Sequence, residues 1–422
     1  MNSTMPGTMP SALQNLRVAL VHYWLIRRRG GEQVLEALAE MFPEADIFTL
    51  VLDRASLGDT LKNRRIYTSF LQSVPGIRNH YQKFLPLSPL ALESLDLVDY
   101  DLVISSESGP AKGVITRQHT CHVCYCHTPM RYVWDMYFEY RRHVPGGVLG
   151  RAFYSIVSHY LRLWDQATAD RVDYFIGNSH NVASRIWKTY RRPAEVIYPP
   201  VAVDEYESGK ELGDFYLVAG QLLRYKRVDL AISACNDLGR KLIVIGEGEE
   251  MGRLRRMAGP TVSMMGWQPD EVLRRHYSRC RALLFTGEED FGMTPVEAQA
   301  SGRPVVAFGR GGALESVRGY FSGELPCPDP TGIYFEEPSV RSLTAAILEF
   351  ERNEKLFSPT KIQVHARGFS VERFRTEIAN FLVAKLEEFK LTHGGQRGRG
   401  WSNRDSQNSR KVSRHLYDRT AT

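Results

Sequence analysis

The stretch on which the fold turns is Phe285-Thr286-Gly287-Glu288-Glu289-Asp290-Phe291-Gly292-Met293-Thr294-Pro295-Val296-Glu297. It is entered through RALLFT (281–286), an apolar run that reads as a strand, and a glycine-containing loop rich in acids follows. Thr294 as N-cap, Pro295 at the first helical position and Glu297 at the third then make a capping box. Strand, loop and helix are therefore expected in succession. Glu297 has a local duty, capping its own helix. The same geometry aims its carboxylate at whatever lies over the helix start, where a ribose diol would be a good partner. Glu289 has no such duty: beside Gly292, after a strand, it is either solvated or part of a site.

The same alternation of apolar runs and helical patterns extends along the chain and predicts α/β architecture, with parallel sheets covered on both faces. Strand candidates in the first half are 17–25, 45–51, 101–106, 122–126, 172–178 and 195–198. Those in the second half are 215–219, 241–246, 261–265, 281–286, 304–309 and 332–335. At 422 residues the chain exceeds one hydrophobic core. Each set suffices for one doubly wound, Rossmann-like domain, and Tyr198-Pro199-Pro200, where proline breaks pairing, marks the junction. The expected organisation is a flexible 1–15, a first domain 16–200, a second 201–368, a helix within 369–390 packing back toward the first domain, and a disordered basic tail 391–422. The last helix shows Ser370 as N-cap and an apolar stripe of Val371, Phe374, Ile378, Phe381, Leu382, Leu386 and Phe389.

A net charge of +6 suggests nucleic acid until it is located. From Thr392 onward six Arg and Lys411 face only Asp405 and Asp418, so the body is nearly neutral. No specific nucleic-acid partner is expected. No run of about 18 apolar residues predicts a membrane span, and Met1 to Asn15 lacks the cations and apolar segment of a secretory signal. Six cysteines, half clustered and half scattered, are not a disulfide framework and fit a cytoplasmic setting. Two stretches, Pro75 to Leu97 and Tyr140 to Leu163, mix basic and apolar residues and fit either core helices or a peripheral membrane contact.

Ligands of doubly wound sheets bind beyond the carboxyl ends of the strands, so residues that follow strands come next. After 215–219 stands Gly220-Gln221-Leu222-Leu223-Arg224-Tyr225-Lys226-Arg227, a cationic entrance to a helix. After the first strand, Gly30-Gly31-Glu32 opens a helix, where backbone can approach a ligand and the helix start favours phosphate. Gly309-Arg310-Gly311-Gly312 joins strand 304–309 to a helix near Ala313 and would present N–H groups to an anion. It is not G-x-G-x-x-G, because Leu314 stands in the last glycine's place, which weakens a dinucleotide reading. Cys121-His122-Val123-Cys124-Tyr125-Cys126-His127 looks like a zinc site, but no second Cys/His pair follows and no metal is expected. Alternation puts Cys124 and Cys126 on one face, with Tyr125 and His127 on the other. Asp99-Tyr100-Asp101 matches D-x-D but precedes its strand, at the wrong end of the sheet.

Glu289 and Glu297, within EDFGMTPVEAQASGRPVVAFGRGGALESV, resemble the E-x7-E motif of retaining family-4 glycosyltransferases of the two-domain GT-B fold. The likeness spans about 16 to 390. The segments VHYWLIRRRGGEQVLEAL, CYCHTPMRYVWD and RYKRVDLAI resemble bacterial O-antigen and exopolysaccharide mannosyltransferases. The resemblance implies two Rossmann-like domains facing across a cleft, a GDP-mannose co-substrate, a lipid-linked oligosaccharide acceptor and no metal cofactor. It implies the cytoplasmic side of a bacterial plasma membrane. It makes His127, Glu289 and Lys226 catalytic, with Glu289 on donor-sugar hydroxyls and Glu297 on the ribose. Gly30, Gly31, Arg224, Phe291, Gly292, Met293, Thr294, Gly311 and Gly312 complete the donor site, and Arg131 lies on the acceptor side. One departure is Gln221, where the family carries an Arg of its diphosphate clamp; Arg224 could supply the missing charge. A nucleotide-sugar epimerase of the same fold and a non-catalytic nucleotide-sugar-binding protein are the rival expectations.

Overall fold

The computed structural model describes residues 10–209 and 211–393. The expectations for the first residues and for the basic tail beyond His393 therefore lie outside the described residues. The first sheet contains β1 (Val18–Leu25), β2 (Asp46–Leu52), β3 (Ile66–Thr68), β4 (Leu102–Glu107), β5 (Cys121–Cys126), β6 (Tyr174–Gly177) and β7 (Ala194–Val196). The second contains β8 (Tyr216–Ala219), β9 (Leu242–Ile245), β10 (Val262–Gly266), β11 (Leu283–Phe285), β12 (Val305–Phe308), β13 (Gly319–Phe321) and β14 (Gly332–Phe335). Helices that matter below are α1 (Gly30–Met41), α2 (Ser88–Glu93), α3 (Tyr137–His143), α4 (Gly147–Thr168), α5 (His180–Tyr190) and α6 (Val228–Leu238). They continue with α7 (Asp270–Arg279), α8 (Met293–Ala300), α9 (Ala313–Ser316) and α10 (Val371–His393).

Strands read as unbroken apolar runs because a parallel sheet is covered on both faces. Along β4 and β5 every residue is buried. The first sheet runs β3-β2-β1-β4-β5-β6-β7 and the second β10-β9-β8-β11-β12-β14-β13. Both are doubly wound: strand order reverses between β1 and β4 and again between β8 and β11. Connections leave opposite faces at those two points, opening the crevice where such sheets take ligands. Sequence periodicity overlooked β3 and β13, each three residues long and too short to show a period.

The chain divides into two compact units, one holding the described residues up to Phe175 and again from Ile378, the other Ile176–Glu377. The division falls inside β6, ahead of Pro199-Pro200. Helix α10 passes from the second unit into the first. Ser370 Oγ accepts the Arg373 amide at 3.2 Å, the expected N-cap. The apolar stripe is buried from Phe374 to Phe389. Phe381 meets Tyr174 edge-on within the first unit, at a centroid distance of 6.5 Å.

The Asp99-Tyr100-Asp101 triplet does structural work at the amino ends of the strands. Asp101 accepts the Arg17 amide at 2.9 Å, and the Tyr100 hydroxyl donates to Asp46 at 2.7 Å. No described helix is long and apolar enough to cross a membrane.

Phe374 is fully buried, so Phe374→Ala is expected to lower unfolding free energy by about 3–5 kcal/mol. Urea denaturation at matched m-values measures this; a loss below about 1 kcal/mol would mean the helix start is not packed as described.

Candidate active site

In the second unit the chain leaves β8 through Gly220, whose φ of 125° suits glycine alone. It then forms a single 3-10 turn, Arg224–Lys226. Thr286 Oγ1, just past β11, donates to the Lys226 carbonyl at 2.9 Å and ties this turn to the neighbouring strand end. Gly287 permits the approach, because a Cβ there would stand 2.6 Å from Lys226 Cα. Across this seam, at the switch point of the sheet, Lys226 Nζ lies 2.5 Å from Glu289 Oε1. Burial works against the ammonium, but the Glu289 carboxylate outweighs it and holds Lys226 above the ordinary lysine value. Gly220, Gln221, Leu222, Thr286 and the two charged residues line a small cavity here. Arg224 is exposed on the same turn.

The acid loop is fixed by the glycine loop after β12. The Glu289 carbonyl accepts the Gly312 amide at 2.8 Å. Side chains at Gly311 and Gly312 would stand 2.4 Å from Glu289 O and 2.2 Å from Phe291 Cα. Of the amides in this loop, the Gly312 N–H is spent on Glu289, and the helix that follows, α9, has only four residues. The other two acids of the loop are also committed. Arg185 on α5 pairs with Asp290 and lies 3.4 Å from Glu288, and Ser179 Oγ donates to the Asp290 carbonyl at 2.6 Å. Glu289 alone is left to Lys226. Phe291 is buried against Tyr198 and Phe369.

The capping box is corrected. Helix α8 starts at Met293 with Gly292 as N-cap at φ 88°, so Thr294 and Pro295 fall inside the first turn. Glu297 does not cap. Its Oε2 accepts the Tyr277 hydroxyl at 2.8 Å from the neighbouring helix α7. Burial raises the carboxyl above the usual range, with the Tyr277 hydrogen bond opposing.

In the first unit the carboxyl ends of β1, β4 and β5 carry a second cluster. Ser106 Oγ lies 2.9 Å from His127 Nε2 and 3.3 Å from His22 Nδ1, while His22 Nε2 is 3.6 Å from Glu32 Oε1. Glu32 also accepts the Arg29 amide at 3.0 Å, which satisfies one free N–H at the start of α1. Gly31 lies against both imidazoles, a Cβ there being 3.5 Å from His127 Nε2 and from His22 Cε1. Burial, aided by His22, lowers His127 to about 3, so a neutral imidazole faces this loop near pH 7. Arg131 stands in a run of turns rather than a helix, 3.6 Å from Asp135. His22, Ser106 and Tyr277 were missed as site residues: a serine inside a strand has no signal until its neighbours are known.

Cys124 and Cys126 do share a face, and the structure adds Glu107 from β4, all three donor atoms lying within 4.8 Å. A cation already serves Glu107. Lys112 Nζ contacts Asp165 and lies 4.0 Å from Glu107 Oε1, and Trp134 Nε1 donates to Asp165 at 2.7 Å. Burial pushes the Cys124 thiol up, against the thiolate a metal would need.

Two family models match this pair of units. Residues 28–205 match Glycosyltransferase Family 4 and residues 207–363 match Glycosyl transferases group 1. With the two seven-stranded sheets they assign the chain to the glycosyltransferases of the GT-B architecture. Among solved structures, the fold is similar to that of Anabaena Alr3699/HepE in complex with UDP. The TM-score is 0.64 at 16% identity, covering 87% of this chain and all of that one. Among curated proteins, the chain is 24% identical over 208 residues to an uncharacterized glycosyltransferase, MJ1178, of Methanocaldococcus jannaschii. It is 24% identical over 263 residues to human alpha-1,3/1,6-mannosyltransferase ALG2. These matches take in 48% and 53% of this chain, and 55% and 61% of the relatives' own lengths.

Two outcomes are expected. Gly312→Ala cannot be accommodated without moving the Phe291 backbone, so it should lower the melting temperature and reduce stabilisation by nucleotide sugars, read by thermal shift. His127 at about 3 and His122, lowered by burial to about 4, stay neutral in the fold, whereas the unfolded chain takes up protons below about 6.5. Stability should therefore fall as pH drops from 6.5 toward 4, by up to about 1.4 kcal/mol per pH unit for each histidine. His127→Gln should flatten that slope.

Proposed function

We propose that the protein is a retaining glycosyltransferase that moves mannose from GDP-mannose to a lipid-linked oligosaccharide during cell-surface polysaccharide synthesis, on the cytoplasmic side of a membrane. The observation that carries the reading is the Lys226–Glu289 pair at 2.5 Å, set at the switch point of the second sheet. In this reaction the bond between the anomeric carbon and the diphosphate oxygen breaks, and negative charge grows on the leaving group. Lys226 stabilises that charge, with exposed Arg224 adding to it in place of a cation at Gln221. Glu289 and His127 hold sugar hydroxyls, Glu297 the ribose diol, and Gly30 and Gly31 line the approach. Arg131 serves the acceptor. The acceptor oxygen bonds to the same face of the sugar, and the departing phosphate takes its proton. Similarity to a mannosyltransferase supports the sugar.

A second donor reading, UDP-glucose, has its own support: Alr3699/HepE, similar in fold, was crystallised with UDP and glucose and with UDP-glucose. A thermal-shift series across GDP-, UDP- and ADP-sugars separates the two, since only a bound donor raises the melting point.

Lys226→Ala and Glu289→Ala should each lower kcat by about 10²–10³-fold with the fold intact. Undiminished transfer by both variants would remove this site from the reaction. Donor consumed at full rate without acceptor would point instead to an epimerase.

A further inference from the structure

Helix α4, 22 residues long, is amphipathic in the wrong sense for a surface helix. Two of its three charged side chains, Arg162 and Asp165, turn inward, and the third, Arg151, is half-buried. Asp165 is fully buried with Lys112, and Arg162 donates to the Val133 carbonyl at 2.9 Å while lying over the Tyr137 ring. Its outer face carries Leu149 at 82% exposure, Phe153 at 66%, Ile156 at 70%, Tyr160 at 48% and Leu163 at 60%. These recur at helical spacing as one continuous row. No exposed position of the helix is Asp, Glu, Lys or Arg. A row of this size left to water is unfavourable, and isolated surface apolar residues do not line up in this way.

The surroundings indicate what covers it. Helix α3 is fastened to α4 through Tyr137 and Arg141, both 2.9 Å from Ser155 Oγ, and it adds exposed Phe138 beside exposed Arg142 and His143. The turn Tyr81–Leu87 also packs on the helix, with Leu85 against Leu161 and its neighbours. That turn leaves Lys83 exposed, and α2 leaves Leu90 exposed at 62%. An apolar row with exposed cations on the elements packed against it is the pattern of a helix lying in the headgroup region of an anionic bilayer: apolar side chains enter the acyl boundary and cations meet lipid phosphates. A second copy of the chain would cover the row equally well but gives the flanking cations no partner, since the matching face is itself basic.

We propose that the outer face of α4, with Arg142 and Lys83 on the elements packed against that helix, docks the first unit on the surface of an anionic phospholipid membrane. The surface does not depend on which sugar is transferred.

The test is flotation of the full chain with vesicles of phosphatidylcholine, with and without phosphatidylglycerol. Wild type should float with the anionic vesicles. A Leu149→Glu, Phe153→Glu, Ile156→Glu variant should lose about tenfold or more of the bound fraction while keeping its melting temperature. Should the triple variant unfold, Leu149→Ser, at the most exposed position of the row, should still weaken flotation. Arg142→Ala with Lys83→Ala should weaken binding only where phosphatidylglycerol is present. The basic tail is common to all variants, so equal flotation of wild type and triple variant would overturn the proposal. So would failure of wild type to float, or a wild-type dimer that the triple variant converts to monomer without any vesicle binding.

Discussion

One amide hydrogen bond sets the geometry of the second unit's site: Gly312 N–H to the carbonyl of Glu289. It draws together two loops that follow adjacent strands, β11 and β12, and only glycine leaves room for the contact. Once Glu289's backbone is pinned, Arg185 can take Asp290 and Glu288, Phe291 can bury, and the Glu289 side chain is left pointing at Lys226. The chemistry of three neighbouring acids is thus sorted by backbone packing. Each acid's role follows from which cation the fold puts within reach.

The two doubly wound sheets were legible in the sequence because buried parallel strands announce themselves as apolar runs, and twelve of them stood out. The two strands left out, at Ile66–Thr68 and Gly319–Phe321, are edge strands of three residues whose pairing is decided by their neighbours. Lys226 and Glu289 were legible as residues that follow strands. Their contact needed the strand order, which no local pattern encodes.

The reading of Thr294-Pro295-Val296-Glu297 shows where local rules give way. Each residue suits a helix start, yet Gly292 in a left-handed conformation begins the helix earlier, and Tyr277 from α7 takes Glu297. Half of such a box is found instead at α1, where Glu32 accepts the Arg29 amide, while an arginine at the N-cap offers no acceptor to complete it. Cys124 and Cys126 share their face with Glu107. Glu107 is met there by Lys112, a buried ammonium whose desolvation cost Asp165 and Glu107 together offset.

The last helix bears on how the protein comes into being. Residues from Ile378 onward complete the core of the unit that the chain began, with Phe381 against Tyr174 and Lys385 over the same ring. On a ribosome the second unit is finished before the first, because the first still lacks side chains not yet translated. The earlier-made half of the molecule must wait with an open apolar seam until the final helix emerges. A nascent chain stalled before Ile378 is a half-closed protein, and quality control would meet it in that form.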